Sequence, residues 1–239
     1  MSLGDAKRRA PGRSAAWVVF GWTLPGLVVR WMFRIVYGVR ASAAGTVPAR
    51  GPLIFVANHQ SHLDPPLVGS VVLDRPCAFL ARASLFRFRP FGMMIRFFNA
   101  VPIEREGRGT SAMRAALAEL DAGRCVLVFP EGTRSPDGEL RRFKPGFLLL
   151  VKKTGAAVVP VAVEGTHSIW PRSRRCPRLR GRIDVRIAPA LAAEDVLAGG
   201  TEAAVARIRD TIAAMQAELR AARVRTDRRA SRSRGPGPP

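Results

Sequence analysis

Short apolar runs alternate along this chain with amphipathic stretches. Residues 110–123 and 145–155 have the spacing of amphipathic helices, which Gly123 and Gly155 can end. The alternating order predicts a single α/β domain with a mixed, mostly parallel sheet flanked by helices on both faces. The apolar runs that are typical of its buried strands lie at 53–57, 77–81, 100–103, 125–130 and 156–163.

Two further patterns follow on the C-terminal side. Residues 182–188 alternate polar with apolar positions, as an edge strand does. Apolar residues recur at three- and four-residue spacing from Val205 to Leu219, which predicts a helix that packs on the sheet. After Arg225 the sequence has little apolar content, so we expect disorder there.

The N-terminal part of the chain is strongly apolar. Residues 15–29 contain no charge, but a helix needs about 20 residues to span a bilayer. Arginines among aromatic residues follow, which favours contact with lipid headgroups, and Pro25 with Gly26 is expected to break the helix. We expect a retained interfacial or re-entrant segment; a buried helix is the alternative.

These patterns divide the chain into four segments. We expect a basic tail at 1–14, a membrane-associating helical segment at 15–40, the α/β domain at 41–224 and a disordered basic tail at 225–239.

The charge of the chain points to partners that carry phosphate. The formal net charge is +21, much of it in patches at 7–13, 172–186 and 220–234. Anionic lipids and nucleic acids attract such patches equally well. The patches lack interleaved aromatic residues for base stacking, which disfavours nucleic acid as a partner.

Neither the cysteines nor the histidines favour a metal or disulfide site. The three cysteines are far apart and form no CxxC pair. A zinc site of His59, His62 and Asp64 would need scattered further ligands, since His167 is the only other histidine. We therefore expect no bound metal.

The sequence NHQSHLD at 58–64 follows the first apolar strand directly, where α/β proteins commonly expose reactive groups. His59 can take a proton from an alcohol, and Asp64 can hold the other ring nitrogen and stabilise the imidazolium. Asp64 before Pro65 is also typical of a helix N-cap. Chance spacing of the two residues is the alternative.

The sequence FPEGTRS at 129–135 follows another buried strand, so Glu131 and Arg134 are expected to line the same cleft as His59. Glu131 offers an acceptor for a hydroxyl, and Arg134 offers a fork for phosphate oxygens. A plain surface turn is the alternative. The motifs of phosphate loops, dinucleotide folds and serine hydrolases are absent from the sequence, which disfavours those classes.

NHQSHLD and FPEGTRS, in that order, resemble the first and third signature blocks of the glycerolipid acyltransferases. VPIER at 101–105 resembles the second block and VVPV at 158–161 the fourth, although Asn99 or Ala100 stands where many members have glycine. The resemblance implies that His59 is the general base and Asp64 its orienting partner. The substrate-binding residues that it implies or makes candidates are Arg105, Glu131, Gly132, Thr133, Arg134, Lys144 and Pro160.

The resemblance also implies a reaction. An acyl chain would pass from acyl-CoA or acyl carrier protein to the free hydroxyl of lysophosphatidic acid, giving phosphatidic acid, with no cofactor. Another lysophospholipid, glycerol-3-phosphate or a glycolipid remains open as the acceptor. We expect anionic membrane lipids as partners and a location at the cytoplasmic face of the cell membrane. A nucleic-acid-binding protein and a non-catalytic membrane scaffold are more distant alternatives.

Overall fold

A seven-stranded sheet forms the centre of the computed structural model, which describes residues 9–97, 99–103 and 110–233. Its spatial order is β1-β7-β6-β2-β5-β3-β4. Neighbouring strands are parallel except β6 and β7, which are antiparallel, so the sheet is mixed and mostly parallel as predicted. The strands are β1 (Arg40–Ala43), β2 (Leu53–Ala57), β3 (Cys77–Arg82), β4 (Ala100–Ile103), β5 (Cys125–Val128), β6 (Ala157–Glu164) and β7 (Asp184–Ile187).

Helices connect these strands and cover both faces of the sheet. A π-helical segment, Trp17–Thr23, leads into the first α-helix, and a 3₁₀ turn covers Ala83–Phe86. The α-helices are α1 (Leu24–Tyr37), α2 (Asp64–Val71), α3 (Arg89–Phe97), α4 (Thr110–Asp121), α5 (Gly146–Thr154), α6 (Thr166–Ile169), α7 (Ala193–Leu197) and α8 (Gly200–Ser233).

The central strand β2 is buried on both faces. Leu53 and Phe55 belong to the apolar core under α1 and α2, whereas Ile54 and Val56 belong to the core under α4, α5 and α8. Successive side chains of a strand point to opposite faces, so a strand covered on both sides must be apolar throughout. This explains the uninterrupted apolar run at 53–57.

The N-terminal segment forms one continuous helix, Trp17–Tyr37, whose length and composition would suffice to cross a membrane. The predicted break at Pro25 and Gly26 is wrong. Pro25 lies in the first turn of α1, where the hydrogen-bond pattern changes from π to α and its missing N–H costs little. Gly26 instead permits close packing, because a Cβ there would lie 2.3 Å from a methyl group of Leu73.

This N-terminal helix has two different faces. Trp22, Phe33 and Tyr37 are buried against the domain. The opposite face exposes large apolar side chains, with Trp31 at 67% and Ile35 at 61% of their accessible area, and also Phe20 and Val28. An exposed apolar row of this kind favours contact with lipid.

Two C-terminal predictions differ from the structure. β7 is not an edge strand, because β1 pairs with it in parallel on its outer side. The helix that packs on the sheet is present as α8, but it continues past Arg225 to Ser233, where the sequence predicted disorder. Arg and Ala are strong helix formers, so a helix anchored by its packed part extends easily.

Candidate active site

The loop that carries NHQSHLD is anchored to the end of β6. The side chain of Asn58 donates to the main-chain oxygen of Val163 at 2.9 Å and accepts the Val163 N–H at 2.7 Å. Asn58 is 1% exposed, so this amide pair continues the β2–β6 ladder beyond the strand end in a buried setting. The next residue, His59, therefore leaves the sheet in a fixed direction.

His59 and Asp64 are paired. Nδ1 of His59 lies 2.9 Å from Oδ2 of Asp64, whose side chain is fully buried. The same Oδ2 accepts the N–H groups of Gln60 and Ser61, each at 2.7 Å. Oδ1 accepts the hydroxyl of Thr166 at 2.6 Å. Four donors thus hold the carboxylate of Asp64 in one orientation.

The predicted N-cap role of Asp64 is wrong. The N-cap position of α2 belongs to Leu63 and has no side-chain cap bond, while Asp64 is the first helical residue. The carboxylate of Asp64 is turned back toward the loop that precedes the helix, because the N–H groups of Gln60 and Ser61 and the ring of His59 already engage it. Asp64 therefore has no capping role that would compete with its contact to His59.

This pairing determines which nitrogen of His59 can meet a substrate. With Nδ1 directed at the carboxylate, Nε2 is the nitrogen left to accept a proton. The imidazole stacks on the ring of Phe129, with centroids 4.1 Å apart and planes inclined by 23°. The side chain of His59 keeps 18% of its area exposed. His59 is thus both oriented and reachable.

The two signature segments meet through the main chain of His59. Its N–H donates to Oε1 of Glu131 at 2.9 Å, and its C=O accepts the N–H of Ser135 at 2.7 Å. The parallel neighbours β2 and β5 end at the same edge of the sheet, which brings these segments together. The expectation that Glu131 lies beside His59 is therefore met.

Glu131 is largely withdrawn from solvent. It is 5% exposed, and Oε2 has no hydrogen-bond partner among the residues that the structure describes. Burial raises the pKa of Glu131 to about 7, although the His59 N–H acts in the opposite direction. Near neutral pH this carboxyl can therefore be either protonated or ionised, and so either donate or accept a hydrogen bond.

Cationic side chains lie around the turn at Gly132. Gly132 has a φ of +72°, and a Cβ there would lie 3.1 Å from Nζ of Lys144, so the ammonium lies close over the turn. Arg172 donates to the hydroxyl of Thr133 at 3.4 Å. Arg134 is half-buried in the same turn. These groups form a cationic rim that suits a phosphate.

Two predicted site residues remain, Arg105 and Pro160. Arg105 falls outside the described residues. Pro160 is buried within β6, paired with Val56, and its C=O accepts the N–H of Ala188 at 2.9 Å. Pro160 is therefore part of the sheet, below the level of Asn58, and its place next to an acyl donor is not supported by a contact with His59 or Glu131.

His62 lies in the same loop and contacts a different aromatic ring. Its ring meets Trp170 edge-on, with centroids 5.3 Å apart. Loss of solvent lowers the pKa of His62 to about 4, with the positive charge of Arg134 acting in the same direction. Across the described ranges no three His, Cys, Asp or Glu side chains are grouped so as to hold a metal ion.

Thr166 was missed by sequence reasoning. Its hydroxyl bonds to the buried Asp64, although 102 positions separate the two residues along the chain. The only indication in the sequence is the position of Thr166 just after the strand β6. β6 ends at the same edge of the sheet as β2, which leads to His59.

Comparisons with known proteins agree with this geometry. A family model described as Acyltransferase matches residues 38–164. The chloroplastic 1-acyl-sn-glycerol-3-phosphate acyltransferase of Arabidopsis thaliana is 34% identical over 122 residues, which are 50% of this chain and 34% of that protein. The lyso-ornithine lipid O-acyltransferase of Pseudomonas aeruginosa is 33% identical over 163 residues, 62% of this chain and 61% of that protein.

A solved structure is also similar. The crystal structure of PlsC, the 1-acyl-sn-glycerophosphate (LPA) acyltransferase of Thermotoga maritima, has a TM-score of 0.72 and 29% identity, and the match covers 85% of this chain and 80% of that one. The first curated relatives are matched over less of their length, between 34% and 43%.

The α/β fold and the paired His59 and Asp64 define the class as that of the glycerolipid acyltransferases, and the resemblance drawn from the sequence is confirmed. The matched range, 38–164, is more than half of the 239 residues. The chain belongs to the acyltransferase family.

Proposed function

We propose that this protein is a 1-acyl-sn-glycerol-3-phosphate O-acyltransferase, which transfers an acyl chain from a thioester to the free hydroxyl of lysophosphatidic acid. The observation that carries the proposal is the 2.9 Å contact between His59 Nδ1 and the buried carboxylate of Asp64, beside a cationic rim. Relatives named for this activity support it.

The proposed step is direct acyl transfer. The hydroxyl oxygen of the acceptor attacks the thioester carbonyl carbon while its proton passes to Nε2 of His59. The tetrahedral intermediate then breaks its C–S bond, and the thiolate takes up the proton from His59. General-base help of this kind contributes about 10²–10⁴ in rate. Asp64 stabilises the imidazolium that forms in between.

The surroundings of His59 suit a glycerol phosphate. Arg134 and Lys144 supply positive charge at the turn after β5, and Arg105 is a further candidate for the same role. Glu131 bonds to the His59 main chain, and its carboxyl is a candidate to bind a glycerol hydroxyl at this position. A lysolipid with a phosphate monoester would satisfy both features.

The N-terminal helix suits substrates that live in a bilayer. Its exposed apolar face would enter the lipid, and Arg30 and Arg34 on the same helix would contact anionic headgroups. We place the α/β domain at the cytoplasmic face of the membrane, where acyl-CoA and acyl carrier protein are both available as donors.

A second acceptor class has its own support. The lyso-ornithine lipid O-acyltransferase matches this chain over 163 residues, a longer stretch than the chloroplastic relative does. That protein's named acceptor has no phosphate. Activity with a lyso-ornithine lipid but not with lysophosphatidic acid would favour this second acceptor class.

The test is acyl transfer by the full chain in detergent micelles, followed by free-thiol release and by the mass of the lipid product. Wild type is offered lysophosphatidic acid, lysophosphatidylcholine and lyso-ornithine lipid in parallel, each with acyl-CoA and with acyl carrier protein. We expect turnover with lysophosphatidic acid and a loss of about 10²–10⁴ in kcat for His59→Ala.

Two results would contradict the proposal. Wild type that transfers only to an uncharged or zwitterionic acceptor would refute the assignment of lysophosphatidic acid. A His59→Ala variant with wild-type kcat would refute the general-base role. Asp195→Ala is the control, because this side chain is exposed in α7 and is not among the residues placed around His59.

A further inference from the structure

Arg220 connects the long C-terminal helix to two segments next to the candidate site, the turn at Gly138 and Glu139 and the end of β6 at Glu164. It lies in α8, outside residues 38–164 that the family model matches. Its Nε donates to Oε2 of Glu164 at 3.0 Å, and its Nη1 contacts both carboxylate oxygens of Glu139 at 2.9 and 2.8 Å. Its Nη2 donates to the C=O of Gly138 at 3.1 Å. One guanidinium thus bonds to two separate segments.

Those two segments are the ones that hold Gln60, the neighbour of His59. The side-chain amide of Gln60 donates to the same Gly138 oxygen at 2.8 Å and to the same Glu164 oxygen at 3.4 Å. Gln60 is 1% exposed, and Gln216 of α8 adds a third donor to Glu164 at 3.2 Å. Both acceptors of the Gln60 amide are therefore also acceptors of Arg220, which bonds to Glu139 in addition.

The contacts continue from Gln60 to the His59–Asp64 pair. The main-chain N–H of Gln60 donates to Oδ2 of Asp64, the atom that also bonds to His59. On the other side, the hydroxyl of Ser135 bonds to the turn at Gly138 and Glu139, and the N–H of Ser135 bonds to the His59 oxygen. The guanidinium is thus linked to His59 from two directions.

We propose that Arg220 is a positioning residue, which fixes the geometry of His59 and Asp64 by holding the Gly138–Glu139 turn and Glu164 in place for Gln60. The activity part of this inference rests on the proposed function. Arginine suits the role because its planar fork reaches three acceptors at once, whereas a lysine has one ammonium group. The effect of Arg220 on the conformation of these loops does not depend on which substrate the protein uses.

The experiment compares Arg220→Gln with Glu218→Gln. Glu218 lies on the same helix and pairs with Arg186 of β7, so its change removes a helix–sheet ion pair with no contact to either loop. Amide hydrogen exchange of the full chain in micelles is followed for peptides that cover 58–64 and 135–139. We expect faster exchange there in Arg220→Gln and wild-type exchange in Glu218→Gln.

Kinetics with the acceptor that wild type uses provide the second measurement. We expect kcat to fall by about 10–100-fold in Arg220→Gln with KM nearly unchanged, since small misplacement of a catalytic group costs up to about 10²-fold. Glu164→Gln combined with Arg220→Gln should be hardly worse than either single change, because residues of one network are non-additive. Arg220→Lys should recover part of the loss.

Unchanged exchange at 58–64 in Arg220→Gln, or equal changes in Glu218→Gln, would overturn the proposal. So would a loss of kcat that only follows the folded fraction measured by thermal unfolding. If Arg220→Gln fails to fold, Glu139→Gln tests the same network, because it weakens one of the three contacts of the guanidinium. If wild type is inactive with every acceptor, the proposed function fails while the exchange result still decides the role of Arg220.

Discussion

The replacement Asp64→Asn should separate the charge of Asp64 from its structural role. An asparagine can keep its oxygen at the position of Oδ2, where it would still accept the bonds of Gln60, Ser61 and the His59 ring. Its NH₂ group would then face the Thr166 hydroxyl, which can turn and accept. The fold of the loop should therefore survive, while the negative charge next to His59 is lost.

The size of the effect follows from electrostatics. A carboxylate and an imidazolium about 4 Å apart attract each other by about 4 kcal/mol at an effective dielectric constant of about 20. In the proposed mechanism this attraction is absent while His59 is neutral and present once His59 has taken the proton, so it would lower the barrier. Each ~1.4 kcal/mol is a factor of ten, which gives a loss of about 10³ in kcat.

The assay is thioester-dependent acyl transfer at saturating substrate, with thermal unfolding measured on the same samples. We expect KM and Tm to stay close to those of wild type. Asp195→Asn is the matched control, since this exposed side chain lies in α7, remote from His59. A kcat within a few-fold of wild type would refute the electrostatic reasoning, and a collapse of Tm would show that the amide cannot replace the carboxylate in the loop.

Two further predictions concern stability. The pKa of Glu131 is raised from 4.5 to about 7, so between these values the folded protein holds a proton that the unfolded chain releases. The free energy of unfolding of wild type should therefore fall by roughly 3 kcal/mol as pH rises from about 5 to 8. Glu131→Gln removes this fall, so the Tm of the variant should rise relative to that of wild type as pH rises. If the two plots of Tm against pH are parallel, the carboxyl of Glu131 is not buried in its protonated form. Arg75 is 1% exposed and donates to the main-chain oxygens of Pro48, Gly51 and Gly123. Arg75→Leu leaves these oxygens without their donor and should lower the free energy of unfolding by about 3 kcal/mol, or Tm by roughly 6–12 °C. The kcat per folded molecule should not change. A Tm equal to that of wild type would show that water replaces the guanidinium.

The buried strands could be predicted from sequence because burial on both faces leaves a local signal. β2 reads as five consecutive apolar residues, and all five are buried. β1 could not be found in this way, since its sequence is RASA and all four residues are exposed. Its strand conformation depends on pairing with β7, which is remote in sequence. Missing β1 also made β7 look like an edge strand.

The candidate site was predictable to a similar degree. The pairing of His59 with Asp64 could be inferred from two residues near each other in sequence, and the meeting with Glu131 from the parallel order of the strands. The contacts of Thr166, Glu164 and Arg220 join distant parts of the chain through single polar side chains. No periodicity or spacing in the sequence records such contacts.

The main chain of His59 joins the two signature segments, since its N–H bonds to the carboxylate of Glu131 and its C=O accepts the N–H of Ser135. The two segments therefore cannot change shape independently. Exchanging one of them for the corresponding segment of a relative with another acceptor would leave mismatched contacts at His59, the proposed general base. Redesign of acceptor preference in this protein should transplant both segments together, as a single cassette.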